Sequence, residues 1–257
     1  MTATDRGPGA RLPRPPGRPK DAEPLPQEGG VRRREAAGLR EALLFDLDGT
    51  LTDNYLGIAR SIRYALESLG VGPPDEATLR RCVGPPLRTS FAALLDTDQP
   101  AAIEHAIVLY RERFADLGWR ENVVYDGIPE ALAALATQGR PMYLCTSKPE
   151  LYARRIVTLF GFTDYFVGVY GADLAGRLDD KAALLAHLAT RERLDATRAV
   201  MIGDRHHDVR AARANGARAI GVLWGYGSAE ELAGADARVS TPAELAAELQ
   251  KATLGSR

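Results

Sequence analysis

The sequence predicts an α/β protein, a doubly wound parallel sheet interrupted by an all-helical cap. Three observations lead there. From about residue 39 onward, short apolar runs alternate with amphipathic helical patterns, and that alternation implies parallel strands joined by right-handed crossovers. One long stretch, Leu56 to about Tyr125, carries helical patterns and no strand. Two apolar runs end in acids beside glycine, Phe45-Asp46-Leu47-Asp48-Gly49-Thr50 and Ile202-Gly203-Asp204. Those are the strand ends where open α/β sheets bind ligands.

The elements follow in order. Strands are expected at Ala42–Leu47, Met142–Cys145, Phe166–Tyr170, Ala199–Ile202 and Arg218–Val222. Helical patterns cover Ile128–Gln138, Pro149–Phe160, Lys181–Arg191, Asp208–Asn215 and Pro242–Lys251, with Gly139, Gly161 and Gly216 where three of them should stop. In the insert, helices are expected at Leu56–Leu69, Asp75–Cys82, Leu87–Leu94 and Ala101–Leu117, separated by Pro73-Pro74, Gly84-Pro85-Pro86 and Gln99-Pro100. An insert placed directly after the first strand hangs over that strand's carboxyl end. Tyr55 and Tyr125-Asp126-Gly127 are the expected hinge crossings. The resulting organisation is a Pro/Arg-rich tail over 1–38, a core over 39–53 and 127–253, and a cap over 54–126. The tail has almost nothing to bury and reads as disordered.

Bulk properties narrow the function. A chain of 257 residues with net charge −1 gives no support to a nucleic-acid polymer or a membrane surface as partner. No apolar run approaches the ~20 residues that span a bilayer, and the N-terminus lacks an apolar signal segment. Cys82 and Cys145 imply neither a disulfide framework nor a thiol zinc site. The cytoplasm is the expected compartment.

Asp46 and Asp48 lie two residues apart on an extended segment, so their side chains face one spot. Two acids there either bind a cation or divide nucleophilic and acid/base roles. Thr146-Ser147-Lys148-Pro149 closes the second core strand and opens a helix, which suits an anion site or a plain N-cap. Lys181 begins a helix, against the macrodipole. Asp204 and Asp208 follow the fourth core strand, with Asp208 returning toward the strand tip. His206 and His207 are adjacent, point apart in regular structure, and have no thiols beside them, so loop or surface roles are expected rather than zinc.

Asp46-Leu47-Asp48-Gly49-Thr50-Leu51-Thr52-Asp53, Thr146-Ser147-Lys148-Pro149, Lys181 and Gly203-Asp204-x-x-x-Asp208 resemble, in order and spacing, the four motifs of the haloacid dehalogenase superfamily. The resemblance spans roughly Leu39 to Lys251, and the helical insert looks like the C1 cap of its phosphoglycolate phosphatase-like, 5′-nucleotidase-like branch. It implies a Rossmann-like core and a Mg2+-dependent phosphatase acting on a small-molecule phosphate ester. Asp46 is implied as nucleophile and Asp48 as acid/base. The metal is implied on Asp46, the Asp48 carbonyl and Asp204, with Asp208 orienting them. The phosphoryl group is implied on Asp48, Gly49, Thr146, Ser147 and Lys181. Lys148 either touches phosphate or merely begins the helix.

Within the family, the presence of Asp48 argues against dehalogenation. The lack of any lysine between Asp53 and Lys148 closes the Schiff-base phosphonate route. A β-phosphoglucomutase-like phosphotransferase and a non-catalytic binding module are the alternatives. Arg80, Arg81, Arg88 and Tyr64 are candidate cap contacts to substrate, each equally at home on a solvated helix face.

Overall fold

In the computed structural model, residues 41–174 and 178–254 are described; the tail expected over 1–38 lies outside them. β1 (Ala42–Phe45), β4 (Met142–Pro149), β5 (Gly168–Ala172), β6 (Ala199–Gly203), β7 (Arg218–Val222) and β8 (Ala237–Val239) form one sheet in the order β5-β4-β1-β6-β7-β8. Every pairing in it is parallel. β1 is the apolar run Ala-Leu-Leu-Phe, buried throughout, as a strand covered on both faces must be.

One face carries α5 (Ile128–Ala136), α6 (Glu150–Leu159) and α9 (Pro242–Leu254), with Leu43, Phe45, Leu144 and Ile202 in their shared core. The other carries α7 (Lys181–Glu192) and α8 (His206–Ala214), packed on Leu44, Tyr143, Cys145 and Met201. Alternate residues of one strand thus feed opposite cores, which makes the sheet doubly wound.

The cap is α1 (Tyr55–Ser68), α2 (Glu76–Arg81), α3 (Leu87–Leu94) and α4 (Pro100–Asp116). It closes around its own cluster of Ile58, Ile62, Leu66, Leu79, Phe91, Ile107 and Phe114. Two-residue strands β2 (Thr52–Asp53) and β3 (Val123–Val124) pair antiparallel where the chain enters and leaves it. The crossings are therefore this ribbon, and Tyr55 already belongs to the first cap helix. Gly127, at φ +83°, starts α5 beyond it.

Several sequence-based boundaries shift for local reasons. β1 stops at Phe45, because the Leu47 amide turns back to the Asp46 carboxylate instead of continuing the ladder. β4 runs on to Pro149, with its register against β5 broken between Thr146 and Pro149, so Pro149 ends a strand and α6 begins at Glu150. α8 begins at His206, two residues before the expected start, because the Asp208 side chain caps it from its third position. Gly139, Gly161 and Gly216 adopt positive φ at helix ends, as expected. β8 and the β2–β3 ribbon were not expected from sequence. Each is two or three residues long, and period-2 patterning has no signal at that length.

Candidate active site

The sheet order puts β1 between β4 and β6, so the residues just past three neighbouring strands converge. Asp46 follows β1, Thr146 and Lys148 lie on the end of β4, and Asp204 follows β6. Lys181, at the start of α7, reaches the same point. Its Nζ lies 2.7 Å from Asp46 Oδ2 and 2.6 Å from Asp208 Oδ1, and all three side chains are almost fully buried. This explains the cation at a helix start, where it meets two carboxylates in place of solvent. Burial opposes its charge, but the two carboxylates more than compensate and hold its pKa above the ordinary lysine value.

Asp46, Asp204 and Asp208 offer carboxylate oxygens within 4.8 Å of one another. Burial, aided by Asp208 and Asp46, pushes the Asp204 carboxyl well above its usual range. Burial lifts Asp208 to about 6 despite the lysine against it. Both Asp208 oxygens are engaged, Oδ1 by Lys181 and Oδ2 by the Arg205 amide at 3.0 Å. Asp204 Oδ2 accepts from the Tyr226 amide at 2.7 Å, and Oδ1 lies 3.5 Å from Thr50 Oγ1.

Glycine makes this crowding feasible. Gly49 has φ +85°, and a Cβ there would sit 2.2 Å from Asp204 Oδ2. At Gly203 a Cβ would sit 2.0 Å from Asp208 Cγ. No larger residue fits either place.

Asp48 is held differently. Its Oδ2 lies 2.7 Å from Lys148 Nζ, while Oδ1 is buried without a hydrogen-bond partner. Burial raises its pKa, and the Lys148 charge opposes the rise. Asp46 and Asp48 line one cavity between core and cap, together with Thr146, Ser147 and Lys148. The cap contributes Ile58, Cys82, Gly84, Pro85, Leu87, Tyr110, Arg111 and Phe114.

The structure thus brings Asp46, Asp48, Gly49, Thr146, Ser147, Lys181, Asp204 and Asp208 to one end of the sheet. Of the two roles open to the four candidate cap residues, it favours the surface one, since none of them lines the cavity. Arg80 stacks on the Tyr55 ring at 4.6 Å, and Arg81 bonds Thr78. Arg88 is paired with Glu104 and Asp179, and Tyr64 bonds Glu112 at the surface. The cap's cationic contribution is Arg111, whose Nε is buried without a partner. Sequence reading missed it because α4 is apolar on a broad face, and only the fold decides which edge of that face overhangs β1. His206 and His207 lie with ring centroids 3.9 Å apart, and His206 Nδ1 contacts Glu231 at 2.6 Å. Neither belongs to the acidic cluster.

A helix-capped parallel sheet with acids on adjacent strand tips and a lysine bridging them defines a class, the haloacid dehalogenase-like hydrolases. The sequence model of that family matches residues 43–222, and the chain belongs to it.

Its relatives are phosphate-handling proteins by name. It is 46% identical over 199 residues to a 5′-nucleotidase of Pseudomonas aeruginosa, covering 77% of this chain and 90% of that one. It is 39% identical over 212 residues to the tyrosine-protein kinase PtkA of Mycobacterium tuberculosis, covering 82% and 72%. A crystal structure described as a predicted phosphatase from Clostridium acetobutylicum superposes with a TM-score of 0.79 at 38% identity, covering 82% of this chain and 99% of that one. The chain is accordingly an enzyme of the family's phosphatase branch. Among the described residues, no helix is long and apolar enough to cross a membrane.

Proposed function

We propose that this hydrolase is a Mg2+-dependent phosphatase that cleaves a small-molecule phosphate monoester through an aspartyl-phosphate on Asp46. The observation that carries the reading is the pairing of two differently held acids in one cavity. Asp46 is charge-paired with Lys181, while Asp48 presents an unpartnered oxygen. In this reading the carboxylate beside Lys181 is the nucleophile, and Asp48, whose pKa burial raises, can carry a proton.

The donor set fits magnesium. Four buried carboxylates face two ammonium groups, and hard oxygen ligands with excess negative charge suit a divalent cation. Asp46, the Asp48 carbonyl and Asp204 would hold it, with Asp208 orienting that set. When bound, it would offset repulsion between the carboxylate nucleophile and the phosphate dianion. In the first step an Asp46 oxygen bonds phosphorus as the ester P–O bond breaks, and Asp48 protonates the leaving oxygen. In the second, Asp48 takes a proton from water as that water attacks phosphorus and frees Asp46. Thr146, the Ser147 amide and Lys181 hold the phosphoryl oxygens where charge develops.

The names of its relatives, 5′-nucleotidase and phosphoglycolate phosphatase, favour a 5′-nucleotide or phosphoglycolate as substrate. Phosphate release from a panel of such esters, measured as kcat/KM with and without Mg2+, tests the reading. Asp46→Asn is expected to lower kcat by more than about 10³-fold with an unchanged circular dichroism spectrum; a folded variant that still turns over removes Asp46 from the nucleophile role. The relative named as a tyrosine kinase supports a second reading, phosphoryl transfer from Asp46 to an acceptor other than water. Labelled phosphate appearing on an added acceptor rather than as inorganic phosphate would favour it.

A further inference from the structure

Lys148 is left over by this mechanism. It sits on the irregular end of β4, where the register break between Thr146 and Pro149 turns the strand, and its side chain is almost fully buried. An ammonium has three N–H donors and no acceptor. Here two oxygens and an aromatic face surround it. Asp48 Oδ2 lies at 2.7 Å, and the Phe114 ring centroid at 4.8 Å. With the Asn54 amide turned so that its oxygen faces the lysine, that oxygen lies at 3.2 Å, and the Asn54 nitrogen donates to the Gly118 and Glu121 carbonyls. Asp48 is thus the one charged partner among these contacts, and the Asn54 amide and the Phe114 ring fix the direction from which Nζ meets it.

Its effect on Asp48 is specific. One carboxylate oxygen is pinned and the other is buried without a partner, in a residue that lines the same cavity as Asp46. A buried polar atom without a partner is costly unless a ligand supplies one. Asn54 lies immediately before α1, and Phe114 lies on α4. Two of the three groups aiming Lys148 thus come from the cap side of the hinge.

We propose that Lys148 is a positioning residue: it fixes Asp48 Oδ2 so that Oδ1 faces the ester oxygen of the substrate. This rests on the phosphatase reading above. The proton on Oδ1 passes to the leaving oxygen as the Asp46–phosphorus bond forms and the ester P–O bond breaks. In the second step Oδ1 receives a proton from the attacking water. Lys148 acts only through Asp48 and touches neither phosphate nor alcohol.

Leaving-group dependence tests this. p-Nitrophenolate departs with little need of a proton, whereas an alkoxide needs one. kcat/KM is measured with Mg2+ for ethyl phosphate and p-nitrophenyl phosphate, on the full chain and on Lys148→Met and Lys148→Arg. Lys148→Met is expected to cost the ethyl ester about 10²-fold and the p-nitrophenyl ester under about tenfold, because only the former loses its acid catalyst. Lys148→Arg, which keeps a charged donor toward Asp48, is expected to recover at least about tenfold on the ethyl ester.

Equal losses on both esters would mean that Lys148 binds phosphate, and no loss on either would mean that it only ends the strand; each overturns the proposal. Should Lys148→Met fail to fold, Lys148→Gln is read by the same ratio. If the unaltered protein hydrolyses neither these esters nor the wider panel with Mg2+, the phosphatase reading itself falls. Hydrolysis without leaving-group discrimination overturns the role of Lys148 alone.

Discussion

Gly49 shows how little tolerance the site has at the scale of one residue. It is the first residue past the second acid. It takes a left-handed φ of +85° and lies so close to Asp204 that a methyl group would overlap the carboxylate, at 2.2 Å and 2.6 Å from its two oxygens. Gly49→Ala is expected to destabilise the fold by more than about 1 kcal/mol from backbone strain alone and to push Asp204 off its bond to the Tyr226 amide. Turnover with Mg2+ should then fall further than the loss of folded protein accounts for. Activity per folded molecule equal to the unaltered protein would show that Asp204 need not hold its place. Asp46, Asp48, Gly49 and Asp204 were legible from sequence because an apolar run ending in acid and glycine is a local pattern. Arg111 and the full set of Lys148 partners were not, because each depends on a neighbour more than thirty residues away.

Among elements, the cap rests on the core through two arginines on loops and helix ends. Arg205, just after the Asp204 strand tip, donates through Nη1 to the Val83 carbonyl of the cap and through Nε to Glu231 at 2.8 Å. Arg88 of α3 reaches Asp179 at 3.0 Å. Tyr226 joins the same boundary, with its amide on Asp204 and its hydroxyl on Asp53 at 2.5 Å, while Asp53 also accepts from the Tyr55 amide that opens α1.

Burial acts to raise the Glu231 carboxyl, but hydrogen bonds from Arg205 and His206 prevail and hold it from an ordinary 4.5 down to about 2. A depressed folded-state value stabilises the protein above the unfolded value, and the gain is lost as pH falls toward 2. Glu231→Gln should therefore lower the urea midpoint at pH 7, with the gap to the unaltered protein closing below about pH 4. A gap of constant size from pH 7 to pH 3 would show that the pair adds no pH-linked stability.

For the molecule as a whole, a cation held by the cluster at the sheet's carboxyl end would couple its binding to folding. Burial raises Asp204 well above the usual carboxyl range and Asp208 to about 6, so without a cation the ionised form of Asp208 costs stability as pH rises through about 6. A divalent cation binds the ionised forms and reverses that cost. Mg2+ at a hundredfold excess over its Kd should add about 2.7 kcal/mol, and the rise in Tm relative to EDTA should be larger at pH 8 than at pH 5.5. Identical melting with Mg2+ and EDTA at pH 8 would remove the cation from the site.

The strand-tip acids, the helix stops and the helical character of the insert follow from the sequence by itself. Each is written in a few neighbouring residues whose apolar spacing or φ preference is local. Tertiary structure alone decided the rest. The β1-between-β4-and-β6 order gathers acids from distant segments, the β2–β3 ribbon sets the cap's approach, and a register break in β4 turns Lys148 onto Asp48. These are contacts between segments far apart in the chain, and no local periodicity encodes which of them will meet.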